Sequence, residues 1–311
     1  MTDQIVGPSV EEYVNSRVAR ELACISKFSA YPDQYGFFGG PGQYSPSKEL
    51  KVKVLQDFLK VSSKVLPKDP ALSKPTLWHG DLHTENIFVD PSDPTKVSNI
   101  IDWQAITVSP LFLQARHPSL IEFEGPIPEG IKAPELPDNF DQMSEEAQLQ
   151  AKNLRAAQNL YKLYEVNMLQ QCPEIAHALQ FRDTLSFQLT GLAGNIFSDG
   201  EPMLQGMLIQ LHDEWAIRVK PPTPCPLAFS PEERAEQQRL AESWSNSVEL
   251  MGEVLTEIGV YQGWDGWVNH SNYDMYKERL AESRKRFLDR QARSEDERRQ
   301  WEQVWPFQDS E

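Results

Sequence analysis

Val14, Val18, Leu22 and Ile25 recur at helical spacing behind Ser9 and Glu12, with Pro8 just ahead. A capping box followed by that period predicts a helix over residues 10–28. Leu50, Val54, Phe58, Val61 and Val65 predict the buried face of a second helix starting at Ser45-Pro46, with Pro67 and Pro70 at its end. The glycine-rich stretch Tyr35–Gly42 between them reads as a loop. The period then changes. Ile87-Phe88-Val89 and Val97, Ile100 and Ile101 are two short apolar runs around the turn residues 91–95, the pattern of a β-hairpin.

After about Met143 the period is helical again: Ser144–Gln171, Pro173–Phe197, Met203–Val219 and Tyr273–Trp301. Ser230-Pro231-Glu232-Glu233 caps a further helix reaching Ile258. The stripe Leu160, Tyr161, Tyr164 and Met168 reads as core, and Pro221, Pro222, Pro224 and Pro226 as a rigid connector. The arginines of 284–299 alternate with Asp289, Glu295, Asp296 and Glu297, a solvated, ion-paired helix face that Trp301 and Trp305 would pin at its end. There is no internal repeat.

The 311 residues suffice for one large domain or two small ones. A formal charge of −16 argues against nucleic acid and anionic membranes as partners, and requires metal or local positive charge wherever a nucleotide binds. Cys24, Cys172 and Cys225 are widely spaced and odd in number, so they read as buried thiols in a reducing compartment. No stretch approaches a membrane span. Met1–Gly7 has neither the basic start and apolar run of a signal peptide nor a transit-peptide composition.

Candidate chemistry lies in Trp78-His79-Gly80-Asp81-Leu82-His83-Thr84-Glu85-Asn86, a loop running into the first hairpin strand, and in Ile101-Asp102-Trp103-Gln104 after the second. A hairpin returns the chain to its starting edge, so Asp102 should arrive beside Asn86. A carboxylate and an amide oxygen are hard ligands that suit Mg²⁺. Asp81 can then stay clear of metal and take a proton from a hydroxyl.

Protein kinases carry the related H-R-D-x-x-x-x-N and, after a hairpin, D-F-G. Here Gly80 replaces the arginine and Trp103 the phenylalanine. Residues 76–126 more closely resemble the aminoglycoside phosphotransferase and choline kinase superfamily. Pro110-Leu111-Phe112-Leu113-Gln114-Ala115-Arg116-His117-Pro118 looks like a fungal branch linked to mitochondrial inheritance.

The resemblance implies an α+β fold: the mainly helical C-terminal lobe of a protein-kinase-like fold, with a small β-hairpin carrying the catalytic and metal loops. It implies a single domain over 1–311, with a helical lead-in (1–75), the loop–hairpin unit (76–126) and a helical subdomain (127–311). It also implies ATP-dependent phosphorylation of a hydroxyl on a small molecule. Asp81 would be the base, His79 the loop support, and Asn86 and Asp102 the ligands of Mg²⁺ on the nucleotide. Mitochondrial location would follow from the branch, and cytoplasmic location otherwise. Only 78 residues precede His79, and they read as two helices without the strand lysine of a nucleotide-binding lobe. That lobe is therefore expected to be absent.

Two other classes compete. A non-catalytic scaffold would bind a partner, or a second copy, over the face such a lobe would cover. A hydrolase would use His79, Asp81 and His83 as metal ligands. The glycines of 36–42 follow no strand and make a poor phosphate loop. Glu135, Asp138 and Asp141 could draw a cationic acceptor, although loop acids are ordinarily just solvated.

Overall fold

A computed structural model describes residues 9–28, 31, 36–104, 106–128, 130, 132–261, 264 and 266–307. Met1–Pro8 and Tyr35, which figured in the sequence reading, lie outside them. The elements in chain order are α1 (Val10–Lys27), α2 (Lys48–Val65), β1 (Pro75–Leu77), β2 (Ile87–Asp90), β3 (Asp93–Ile100), β4 (Val108–Pro110), α3 (Leu111–Gln114), α4 (Glu145–Gln171), α5 (Pro173–Phe181), α6 (Leu185–Ala193), α7 (Glu201–Asp213), α8 (Trp215–Arg218), α9 (Pro231–Ile258), α10 (Tyr273–Gln291) and α11 (Glu295–Gln303). The fold is mainly helical α+β, as expected. The described residues contain two antiparallel strand pairs, β2 with β3 and β1 with β4.

The helix starts follow local capping chemistry. Ser9 accepts from the backbone N–H of Glu12, Ser144 from Ala147, and Ser294 from Glu297. Ser230 and Glu233 form a reciprocal capping box. The second helix starts at Lys48 rather than Ser45, because the hydroxyl of Ser47 accepts from the N–H of Leu50. Pro173–Phe197, expected as one helix, is two. The chain turns at 182–184, and the hydroxyl of Thr184 accepts from Phe187 N–H to restart it. Residues 273–301 likewise break at 292–294, where Ser294 caps α11.

The chain divides into two compact units, residues 1–65 with 189–311, and residues 66–188. These boundaries differ from the three consecutive segments expected from the sequence.

In the first unit α1, α2, α7 and α9 pack together. Lys51 of α2 and Glu201 of α7 are both fully buried and pair at 3.1 Å. Further bonds support the pair: Lys51 Nζ donates to Ile196 O at 2.7 Å, while Tyr44 Oη and Ser47 N donate to Glu201 Oε1 at 2.5 and 3.0 Å. Burial, and then the Glu201 charge, push the Tyr44 phenol far up.

The same unit holds an aromatic cluster of Phe37, Trp264, Phe287, Trp301 and Trp305. Phe37 stacks on Phe287 at 4.3 Å. A Cβ on Gly40 would stand 2.3 Å from the Trp301 ring. Gly40 thus lets the loop press into this core, which is a structural role. Four arginines of 284–299 are ion-paired, Arg286, Arg290, Arg298 and Arg299, for example Arg290 with Glu257 at 2.6 Å and Arg298 with Asp289 at 3.0 Å.

In the second unit Phe112 is fully buried and meets Phe181 edge-on at 5.4 Å. Gln114 Nε2 donates to the carbonyls of Thr76 and Ser109, clasping β1 to β4. That strand pair is absent from the sequence reading. All three cysteines are free and partly exposed, rather than buried as expected. No described helix is long and apolar enough to cross a membrane.

Candidate active site

The loop 79–86 is held by its own carbonyls. Arg116 donates to Gly80 O. Asn86 Nδ2 and His83 N donate to Asp81 O at 2.9 and 3.2 Å, and Ser119 Oγ donates to Leu82 O at 3.1 Å. With the backbone fixed beneath it, the Asp81 side chain stays 71% exposed. A Cβ at position 80 would lie 2.6 Å from Arg116 Nη2. Gly80 is therefore what lets Arg116 reach the loop.

Asn86 is 5% exposed and sits at the end of a short 3₁₀ turn, Thr84–Asn86. Its Nδ2 is committed to Asp81 O and to His83 Nε2, the latter at 3.0 Å. An acceptor role at His83 Nε2 makes that imidazole the Nδ1–H tautomer. His83 Nε2 also lies 3.6 Å from Asp81 Oδ2. Fixing the amide nitrogen leaves Oδ1 as the Asn86 atom able to meet a cation.

The hairpin then carries the chain back. Ile87 pairs with Ile100, and Ile101 N donates to Asn86 O at 3.0 Å. His79 Nε2 donates to Ile101 O at 2.8 Å, and the His79 ring meets Trp103 edge-on at 4.8 Å. Trp103 Nε1 donates to Ile100 O at 2.8 Å. Both peptide groups of Ile101 are thus bonded to the first loop, which fixes the approach to Asp102. Asp102 has φ +62°, alone among the described non-glycine residues in the left-handed region, and its side chain is exposed. Aspartate tolerates this conformation better than most residues, but holding it still has a cost, and such outliers gather at functional sites.

All four predicted site residues therefore lie within one hydrogen-bonded loop pair. Sequence reasoning missed the contributions of His83, Arg116 and Trp103. His83 lies three residues before Asn86 on the turn, a spacing that could have revealed it. Arg116 needed a long-range contact. Gln104 and Glu85 are exposed, and Glu135, Asp138 and Asp141 are exposed in their loop.

The oxygen donors fit a hard divalent ion. Asn86 Oδ1 is oriented by the bonds to its own nitrogen, and the Asp102 carboxylate is open. The hydrolase arrangement fits less well. His79 Nε2 is spent on a carbonyl and His79 Nδ1 is buried without a partner. Among the described residues no three His, Cys, Asp or Glu side chains form a metal-holding group.

Comparison with known proteins gives the same direction. Two subtelomeric hrmA-associated cluster proteins of Aspergillus fumigatus, from two strains, are each 27% identical over 313 aligned positions, covering 98% of this chain and 59% of theirs. The chain thus spans about three fifths of the length of these relatives. No solved structure matches the chain. Residues 41–113 match the phosphotransferase enzyme family. That segment contains Asp81, Asn86 and Asp102, so the similarity of this chain to the phosphotransferase enzyme family lies in the candidate site itself.

Proposed function

We infer that this chain carries the base and metal side of an ATP-dependent phosphotransferase site acting on a hydroxyl of a small molecule. The observation that carries the reading is the double tie at Ile101. Its N–H bonds to Asn86 O and its carbonyl accepts from His79, which locks the Asp102 loop to the Asp81 loop.

In this reading Asp81 accepts the hydroxyl proton as the oxygen attacks the γ-phosphorus of ATP and ADP departs. The exposure of Asp81 leaves room for that hydroxyl, and its fixed backbone orients the carboxylate. Asn86 Oδ1 and Asp102 would hold Mg²⁺, which when bound neutralises charge on the phosphate oxygens. His79 is a positioning residue, acting through the Ile101 carbonyl.

A scaffold reading has one observation in its favour: Leu77, Phe88, Val97, Trp103 and Val108 are all exposed apolar side chains around the same loops. Calorimetric titration with ATP separates the two. The phosphotransferase reading expects heat that requires both Mg²⁺ and Asp102, and is lost in Asp102→Ala. Absence of ATP binding by the wild-type chain, with Mg²⁺ present, would pass the case to the scaffold.

A further inference from the structure

Within the second unit, α4, α5 and the residues following β4 enclose a cavity of about 480 Å³, in the size range of small-molecule sites. His117 and Tyr161 form one wall, their rings stacked at 4.4 Å with 22° between planes. Ile127, Val166, Leu169 and Leu179 supply an apolar lining. Two observations define what it would take.

The first is charge. Lys162 and Arg182 face the cavity together with Glu165 and Asp183, so the formal charges of the described lining balance. Lys162 and Glu165 are paired at 2.6 Å. Arg182 is occupied by the Ala115 carbonyl at 3.0 Å and lies over the Phe187 ring at 4.7 Å. In a chain of net charge −16, the described lining of this pocket is locally neutral.

The second is an unmet hydrogen bond. His117 Nε2 is buried and has no hydrogen-bond partner among the described residues; Glu165 Oε1 stands 3.8 Å away, beyond bonding distance. The other ring nitrogen lies 3.5 Å from Tyr161 Oη. Burial is the main cause that lowers the His117 pKa, opposed by Glu165 and Glu122 and assisted by Arg182 and Lys162, so the ring is neutral near pH 7. A neutral imidazole offers either a donor or an acceptor at Nε2. A hydroxyl satisfies both cases, whereas an ammonium or a carboxylate satisfies one and brings an unbalanced charge.

We propose that this cavity binds an uncharged small molecule with an apolar body and a hydroxyl group, which His117 Nε2 holds. The proposal rests on the phosphotransferase reading only in calling that molecule the acceptor. A covalent link supports the connection: Arg116, the neighbour of His117, grips Gly80 O in the catalytic loop.

The test needs neither nucleotide nor metal, so its failure is distinct from failure of the phosphotransferase reading. The full chain is titrated, with ligand-observed NMR as readout, against 4-phenylbutan-1-ol, 4-phenylbutylamine and 4-phenylbutanoate, which share one skeleton and differ in charge. The alcohol should bind saturably and at least several-fold more tightly than the other two. His117→Phe keeps the stacked ring but removes the nitrogen, and should weaken the alcohol by about tenfold, the scale of one hydrogen bond. Val166→Trp fills the cavity and should abolish binding. Circular dichroism checks that each variant folds, and either one alone suffices. No saturable binding of the alcohol, preference for the amine or the carboxylate, or alcohol affinity unchanged in a folded variant would overturn the proposal.

Discussion

Two groups of charged side chains in this molecule have opposite fates. Lys51 and Glu201 are fully buried, and each polar atom of the pair has a partner within 3.1 Å. Asp81 and Asp102 are exposed carboxylates standing on backbone that is heavily bonded. In the first case the side chains are satisfied by the fold. In the second the fold satisfies only the backbone beneath them, leaving the carboxylates for a ligand. Groups of the first kind contribute structure, and groups of the second kind are where chemistry can occur.

The contrast breaks most visibly at Asp81. Asp81→Ala should lower phosphoryl transfer, read as ADP release with water or an alcohol as acceptor, by about 10²- to 10⁴-fold, the usual contribution of a positioned base. Its melting temperature should stay at the wild-type value, since Asp81 holds the loop through its carbonyl. A large fall in melting temperature would make Asp81 structural. Lys51→Met should do the reverse. It strands a buried carboxylate and should destabilise the chain by about 3–5 kcal/mol in urea unfolding. The double variant Lys51→Met with Glu201→Met should recover much of that loss. Gly40→Ala tests the aromatic cluster. Its new methyl meets the Trp301 ring, and about 1–3 kcal/mol of destabilisation is expected from overpacking.

The smallest effect is a pH dependence at His117. Its pKa is lowered in the folded state, mainly by burial, so the unfolded chain binds the proton more readily. Stability from this residue is therefore complete above the ordinary histidine pKa of about 6.5 and declines as pH falls below it. Melting temperature followed from pH 7.5 to 5 should drop less in His117→Phe than in wild type. Equal drops would show that the burial of His117 has no part in the acid response.

The sequence made legible whatever local chemistry decides. The serine caps at Ser9 and Ser230 and the two apolar runs around the hairpin turn mark their elements within a few residues. The glycine at 80 marks a departure from protein kinases, but its reason, the approach of Arg116, depends on a contact 36 residues away. Helix breaks at 182–184 and 292–294 were hidden because neither carries proline or glycine. Lys51 and Glu201 look like surface residues in sequence, and only the packing of α2 and α7 shows them buried. At the site, residue types and order were readable. The ties that hold them, His79 to the Ile101 carbonyl and Asn86 to the Asp81 carbonyl, were not, because main-chain partners leave no trace in residue identity. Leu160, read as core with Tyr161 and Met168, is exposed, while those two line the cavity.

The central claim is that Asn86 and Asp102 form one metal-holding pair, and Mn²⁺ in place of Mg²⁺ makes it visible. Electron paramagnetic resonance of Mn²⁺ and ATP with the full chain should show a protein-bound signal. It should vanish in Asp102→Ala, weaken strongly in Asn86→Ala, and persist in Lys51→Met under conditions where that variant is folded. A bound signal that survives Asp102→Ala unchanged would contradict the account.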